Sequence, residues 1–205
     1  ANFGNNNIGI GKFSAYSVTT GYHNINLGNR TGQNHQQDIN NIFIGENSGF
    51  GVNKEYGTFD YSAAKANDDH GNTNIGIGYQ TGYTLTTGYA NTFIGNSSGF
   101  STSTGERNIS IGNIAGYSMT TGSDNLLMGN QAGYSITTAD NNVCLGVDAG
   151  FKNTASNNMF IGANAGRHNT SAENNMFIGN AAGYTNSTGH SNIYMGNSAG
   201  YFSST

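Results

Sequence analysis

The stretch Asn91-Thr92-Phe93-Ile94-Gly95 returns 17 residues later as Asn108-Ile109-Ser110-Ile111-Gly112, and again as Asn125-Leu126-Leu127-Met128-Gly129. The same frame opens at Asn7, Asn24, Asn41, Asn74, Asn142, Asn158, Asn175 and Asn192. Every step is 17 residues, except 16 from Asn142 to Asn158 and 33 from Asn41 to Asn74. A short fixed period marks a chain that stacks equivalent units instead of wrapping one core. Seventeen residues are too few for two helices and a turn, and each unit carries two glycines, which cost roughly 1 kcal/mol each inside a helix. Short strands separated by glycine turns fit. The expected fold is all-β, a parallel β-solenoid with one unit per coil and ~4.8 Å between coils.

With the Asn at position 0, positions 1 and 3 are aliphatic in nearly every copy. Residues two apart share one face of a strand. Ile10, Ile44, Ile77, Ile94, Ile111, Ile161 and Ile178 are therefore expected to form an inward core ladder. Asn74, Asn91, Asn108, Asn125 and Asn142 are expected to form a hydrogen-bonded ladder at a corner. Gly at position 4 ends the strand in a turn that needs positive φ. Position 7 is small, position 8 is Gly, and position 9 carries an aromatic: Tyr16, Phe50, Tyr83, Phe100, Tyr117, Tyr134, Phe151, Tyr184 and Tyr201. Gln33 and Arg167 stand in that phase elsewhere. A Ser/Thr-rich stretch closes the unit, often as Thr-Thr-Gly, as at Thr19–Gly21, Thr86–Gly88 and Thr120–Gly122.

The 33-residue step has the length of a 17- and a 16-residue unit. It predicts a worn coil beginning near residue 58, with Phe59 and Tyr61 in its strand phases and a bulge carrying Lys54, Glu55, Lys65, Asp68 and Asp69. That makes about twelve coils, starting near 7, 24, 41, 58, 74, 91, 108, 125, 142, 158, 175 and 192 in one repeat domain over 1–205. Position 2 should then face outward. Phe43, Phe93, Leu127, Phe160, Phe177 and Tyr194 stand there. An exposed apolar stripe calls for a cover: a second layer of the same chain, a neighbouring chain, or a ligand. We take these residues as the candidate interface.

Composition narrows the function. The chain has 205 residues, 32 Gly, no Pro, one Cys and a net charge of −4, with 9% charged residues. The absence of a basic stripe argues against nucleic acid. No apolar run approaches the ~20 residues of a membrane-spanning helix. The single Cys144 excludes a disulfide framework within the chain. His23, His35, His70, His168 and His190 fall in different phases, so no metal ladder is expected. Nucleophile-elbow, phosphate-loop and zinc spacings are missing. We expect no enzyme, no cofactor and no metal.

The motifs Asn41–Gly45 (Asn-Ile-Phe-Ile-Gly) and Asn158–Gly162 (Asn-Met-Phe-Ile-Gly), each followed by a small residue and Gly, resemble the head repeats of trimeric autotransporter adhesins. They resemble more closely the Asn-Thr-Phe-Ile-Gly repeats in shafts of phage tail fibres and large bacterial surface proteins, a form present verbatim at Asn91–Gly95. The adhesin repeat is shorter and small at position 2, where this chain carries aromatics. The resemblance implies an extracellular or virion-surface attachment or fibre role. The expected partner is the chain itself, through solenoid ends or the lateral aromatic stripe. Neither terminus departs from the repeat, which suggests head-to-tail stacking or a longer array. The alternative expectation is a module that binds surface glycan or ice.

Overall fold

The computed structural model describes residues 5–18, 21–33, 39–50 and 73–203. Among them are eleven strands of three residues each and no helix. They are β1 (Ile8–Ile10), β2 (Ile25–Leu27), β3 (Ile42–Ile44), β4 (Ile75–Ile77), β5 (Thr92–Ile94) and β6 (Ile109–Ile111). Then follow β7 (Leu126–Met128), β8 (Val143–Leu145), β9 (Met159–Ile161), β10 (Met176–Ile178) and β11 (Ile193–Met195). All pair in parallel, in chain order, in one sheet. Each repeat thus makes one coil, and equivalent positions lie in register, as with Phe93 against Ser110 and Ser110 against Leu127.

Among the described residues eleven strands stack, where the sequence suggested about twelve coils. β3 pairs directly with β4, Ile42 against Ile75, so no coil stands between them. The expected coil near residue 58 and its charged bulge lie outside the described residues.

Four left-handed positions bend each coil. At position 4 the glycines take φ between 120° and 141°, a region closed to other residues. A β-carbon on Gly95 would also fall 2.4 Å from the carbonyl oxygen of Gly112 in the next coil. Position 8 glycines sit near φ 60°, and a β-carbon on Gly99 would strike Phe93 Cδ1 at 2.5 Å. The other two left-handed positions, directly before the Asn and at position 6, mostly hold Asn, Asp, Ser or Gln, as at Asn141 and Gln131.

The interior is the reverse of the expected one. Phe43, Phe93, Leu127, Cys144, Phe160 and Phe177 of position 2 are fully buried within the single chain. The aliphatic pair faces out: Ile10 is 65% and Ile77 38% exposed, while Ile44, Ile94, Ile111, Ile161 and Ile178 are half-buried. The reason is strand parity. The Asn at position 0 points into the coil, and in a strand position 2 shares its face while positions 1 and 3 take the other. The position 8 glycines complete the arrangement by letting the backbone approach the position 2 rings. Facing this column, position 11 adds Leu85, Met119 and Ile136, and position 7 adds Ala115, Ala132, Ala149, Ala165 and Ala182, all buried. In later coils position 11 changes to Asn153, Asn169 and Asn186, a buried second ladder in which Asn169 Nδ2 donates to Asn153 Oδ1 at 2.7 Å.

Candidate functional site

The Asn ladder at position 0 fixes the geometry of everything outside it. From Asn24 to Asn192, each Asn backbone N–H donates to the side-chain oxygen of the preceding Asn at 2.9–3.1 Å. Asn74, Asn91, Asn108, Asn125 and Asn142 are buried links in it. Their amides also donate back along the axis, Asn108 Nδ2 to Asn91 Oδ1 at 3.1 Å. The same amide closes its own coil, Asn91 Nδ2 to Gly105 O at 2.8 Å and Asn108 Nδ2 to Gly122 O at 2.8 Å. One side chain therefore holds the stack axially and the coil transversely. This rigid corner sets three outward surfaces.

The first is the aliphatic sheet face. Positions 1 and 3 give two files running over all eleven strands, with Thr92 the single polar member. At ~4.8 Å per rung the files extend roughly 50 Å. Ile8, Ile10, Ile77, Ile109, Met128, Ile193 and Met195 are exposed, and the others are half-buried by their neighbours in the file. Beside the files a shallow groove of about 330 Å³ is lined by Val143, Met159 and Met176 together with Asn141, Asn157 and Asn174.

The second is the aromatic column at position 9. Phe50, Tyr83, Phe100, Tyr117, Tyr134 and Phe151 stack with centroids 5.0–5.4 Å apart and planes within 18°. Arg167 takes the next place, its guanidinium 5.1 Å from the Phe151 centroid, and Tyr184 and Tyr201 continue the stack at 4.8 Å. Arg167 is also held by Asp148 at 3.3 Å. The rings are half-buried, and their faces are spent on one another. Tyr16, in the same phase of the first coil, is 69% exposed and meets Phe13 edge-on at 5.6 Å.

The third surface is the Ser/Thr corner. Its position 12 hydroxyls donate to the next coil's position 12 carbonyl: Thr86 to Ser103 at 2.9 Å, Ser103 to Thr120 at 3.2 Å, Thr120 to Thr137 at 3.1 Å and Thr170 to Ser187 at 3.1 Å. These hydroxyls serve the stack, while the adjacent position 13 residues Thr87, Thr104, Thr121 and Thr138 are exposed. Thr19 and Thr20 lie outside the described residues.

Charge is local. Arg107 bonds Asp124 through Nε at 2.7 Å and Glu106 through Nη1 at 2.7 Å, and lies 5.8 Å from the Tyr89 centroid. The bond from Arg107 holds the Asp124 carboxyl below its ordinary range. Cys144 lies in the core, where burial pushes its thiol up to about 12. Among the described residues no three His, Cys, Asp or Glu side chains gather to hold a metal ion, and no helix is long and apolar enough to cross a membrane.

The position 2 residues and the expected core residues have thus exchanged faces, with Tyr194 in the last strand half-buried, and the Asn ladder keeps its assigned face. Parity ties the two once the Asn is placed inward, since position 2 then takes the same side. No protein-family model, curated protein or solved structure matches the chain.

Proposed function

We propose that this chain is a structural segment of an extracellular fibre or adhesin, whose copies associate side by side through the aliphatic sheet face. The observation that carries this reading is the pair of outward aliphatic files running unbroken over eleven strands save for Thr92. Contiguous exposed apolar surface of this extent marks an association site. A second copy of the chain is the occupant best matched to it, because its files repeat at the same rung spacing and make the same contact at every level. The low charge adds little repulsion between copies. The resemblance of the Asn-x-Phe-Ile-Gly frame to fibre shafts supports the extracellular role. The buried position 2 aromatics hold each chain together and are not offered to a partner.

Sedimentation velocity tests the association. The wild type is expected to sediment well above the 21.4 kDa of one chain. A variant carrying Ile94→Lys, Ile111→Lys and Ile161→Lys is expected at the mass of one chain with an unchanged β signal. A wild type that stays monomeric at all concentrations, or a variant of unchanged mass, contradicts the reading. Antibody labelling of intact cells or particles tests the location, and label found only after lysis sinks it.

A further inference from the structure

Met119 is buried in the core beside Leu127 and Ile136, but the other four methionines of the chain all stand on the aliphatic sheet face. Met128 and Met195 occupy position 3 and are 41% and 66% exposed. Met159 and Met176 occupy position 1, half-buried, directly paired across β9 and β10. The outward positions of β1–β6 hold only Ile, Leu27 and Thr92, so the thioethers are confined to β7–β11. The face is therefore divided into a half without oxidisable groups and a half with four.

We propose that Met128, Met159, Met176 and Met195 form a modification site for hydroperoxides, and that their oxidation blocks side-by-side association of the chain. This rests on the association reading above. In the reaction the thioether sulfur attacks one peroxide oxygen and the O–O bond breaks as the S–O bond forms. The sulfur loses two electrons. With hydrogen peroxide, the departing hydroxide takes the proton of the transferred oxygen and leaves as water. Each site gains one oxygen as the sulfoxide, which methionine sulfoxide reductases reverse.

The consequences differ for one chain and for an assembly. On a free chain the sulfoxide oxygen points into water and hydrogen-bonds there, so the coil is undisturbed. In a dry contact between two faces the same group is buried without a partner, which is unfavourable. Four such groups within five rungs act together. An assembled face shields its sulfurs, so oxidation captures unassembled chains. The two remaining sulfur groups, Met119 and Cys144, are buried in the core.

The test treats the full chain with hydrogen peroxide at a dilution where it sediments as one chain, reads peptides by mass spectrometry, and reads sedimentation again after reconcentration. One added oxygen is expected at each of the four outward methionines, with Met119 unmodified until the chain is denatured. The oxidised protein is expected to lose association while keeping its β signal. A variant with all four outward methionines changed to Leu is expected to associate and to ignore peroxide. Oxidation of Met119 at the rate of the others overturns the site. An associating wild type that is fully oxidised without change of mass overturns the switch alone. A wild type that never associates overturns the reading of the face and the switch with it, whatever the oxygen pattern.

Discussion

The ring of Phe43 fills part of the space that a side chain at residue 76 would need: a β-carbon on Gly76 would fall 2.9 Å from Phe43 Cδ1 and 2.8 Å from Ser48 Oγ. Gly76 lies in β4, outside the left-handed region, so its place is set by volume. Position 2 runs Phe43, Gly76, Phe93, Ser110, Leu127 along the paired strands, and large side chains overlap the room left by small ones. Farther along, Phe160, Phe177 and Tyr194 take consecutive rungs at this position and stack with centroids 5.3 and 4.9 Å apart, so the size compensation belongs to β3–β7.

Gly76→Val is accordingly expected to destabilise by about 1–3 kcal/mol through overpacking. Joined with Phe43→Ala, it is expected to cost less than the two single changes added together. Urea unfolding of the four proteins measures the coupling. Strict additivity would show that the two sites do not share space.

Asn108 accepts from the backbone and side chain of Asn125 and donates to Asn91 and Gly122. Asn108→Ala leaves several of these buried groups without partners, at an expected cost of more than about 3 kcal/mol. Asn96→Ala, at an exposed turn position of the neighbouring coil, is expected to be nearly silent. Thermal melts of the two variants decide the matter, and equal losses would remove the ladder from its structural role.

The periodicity, the parallel stacking, the strand phases and the glycine turns were all legible in the sequence, since each follows from a residue type recurring at a fixed spacing. The side of the strand that faces in was not. Alternation separates two faces but does not rank them, and Ile10 and Ile44 are as apolar as Phe43. What ranks them is a contact between distant phases, the position 8 glycine against the position 2 ring, as Gly99 lies against Phe93. The glycine at 76 between Phe43 and Phe93 carried part of the same information, because an outward position sets no such limit on size. The step from Asn41 to Asn74 equals two units in length, yet Asn74 bonds Asn41 directly and β4 pairs with β3.

Cys144 is expected to resist thiol reagents in the native chain, because burial disfavours the thiolate and closes access. Its labelling rate is expected to follow unfolding as urea is raised. Rapid labelling in native buffer would place Cys144 outside the core.

His168 sits edge-on to Tyr184 at 4.9 Å, and burial, then Lys152 and Arg167, lower its pKa below the ordinary 6.5. The unfolded chain therefore takes up the proton first as pH falls. Stability is expected to be full above 6.5, to decline between 6.5 and the lower native value, and to level off below it. His168→Phe is expected to remove this component of the slope. Melting temperatures across that range in both proteins provide the check, and parallel curves would contradict it.

The account turns on which strand residues hold one chain together. Far-ultraviolet circular dichroism of Phe93→Asp and Ile94→Asp, compared at room temperature, tests it most directly. Phe93→Asp places an unpaired charge in the closed interior and is expected to lose much of the β signal. Ile94→Asp places its charge on the outward face and is expected to keep that signal in full. Loss of the signal in Ile94→Asp with its retention in Phe93→Asp would contradict the assignment of inside and outside.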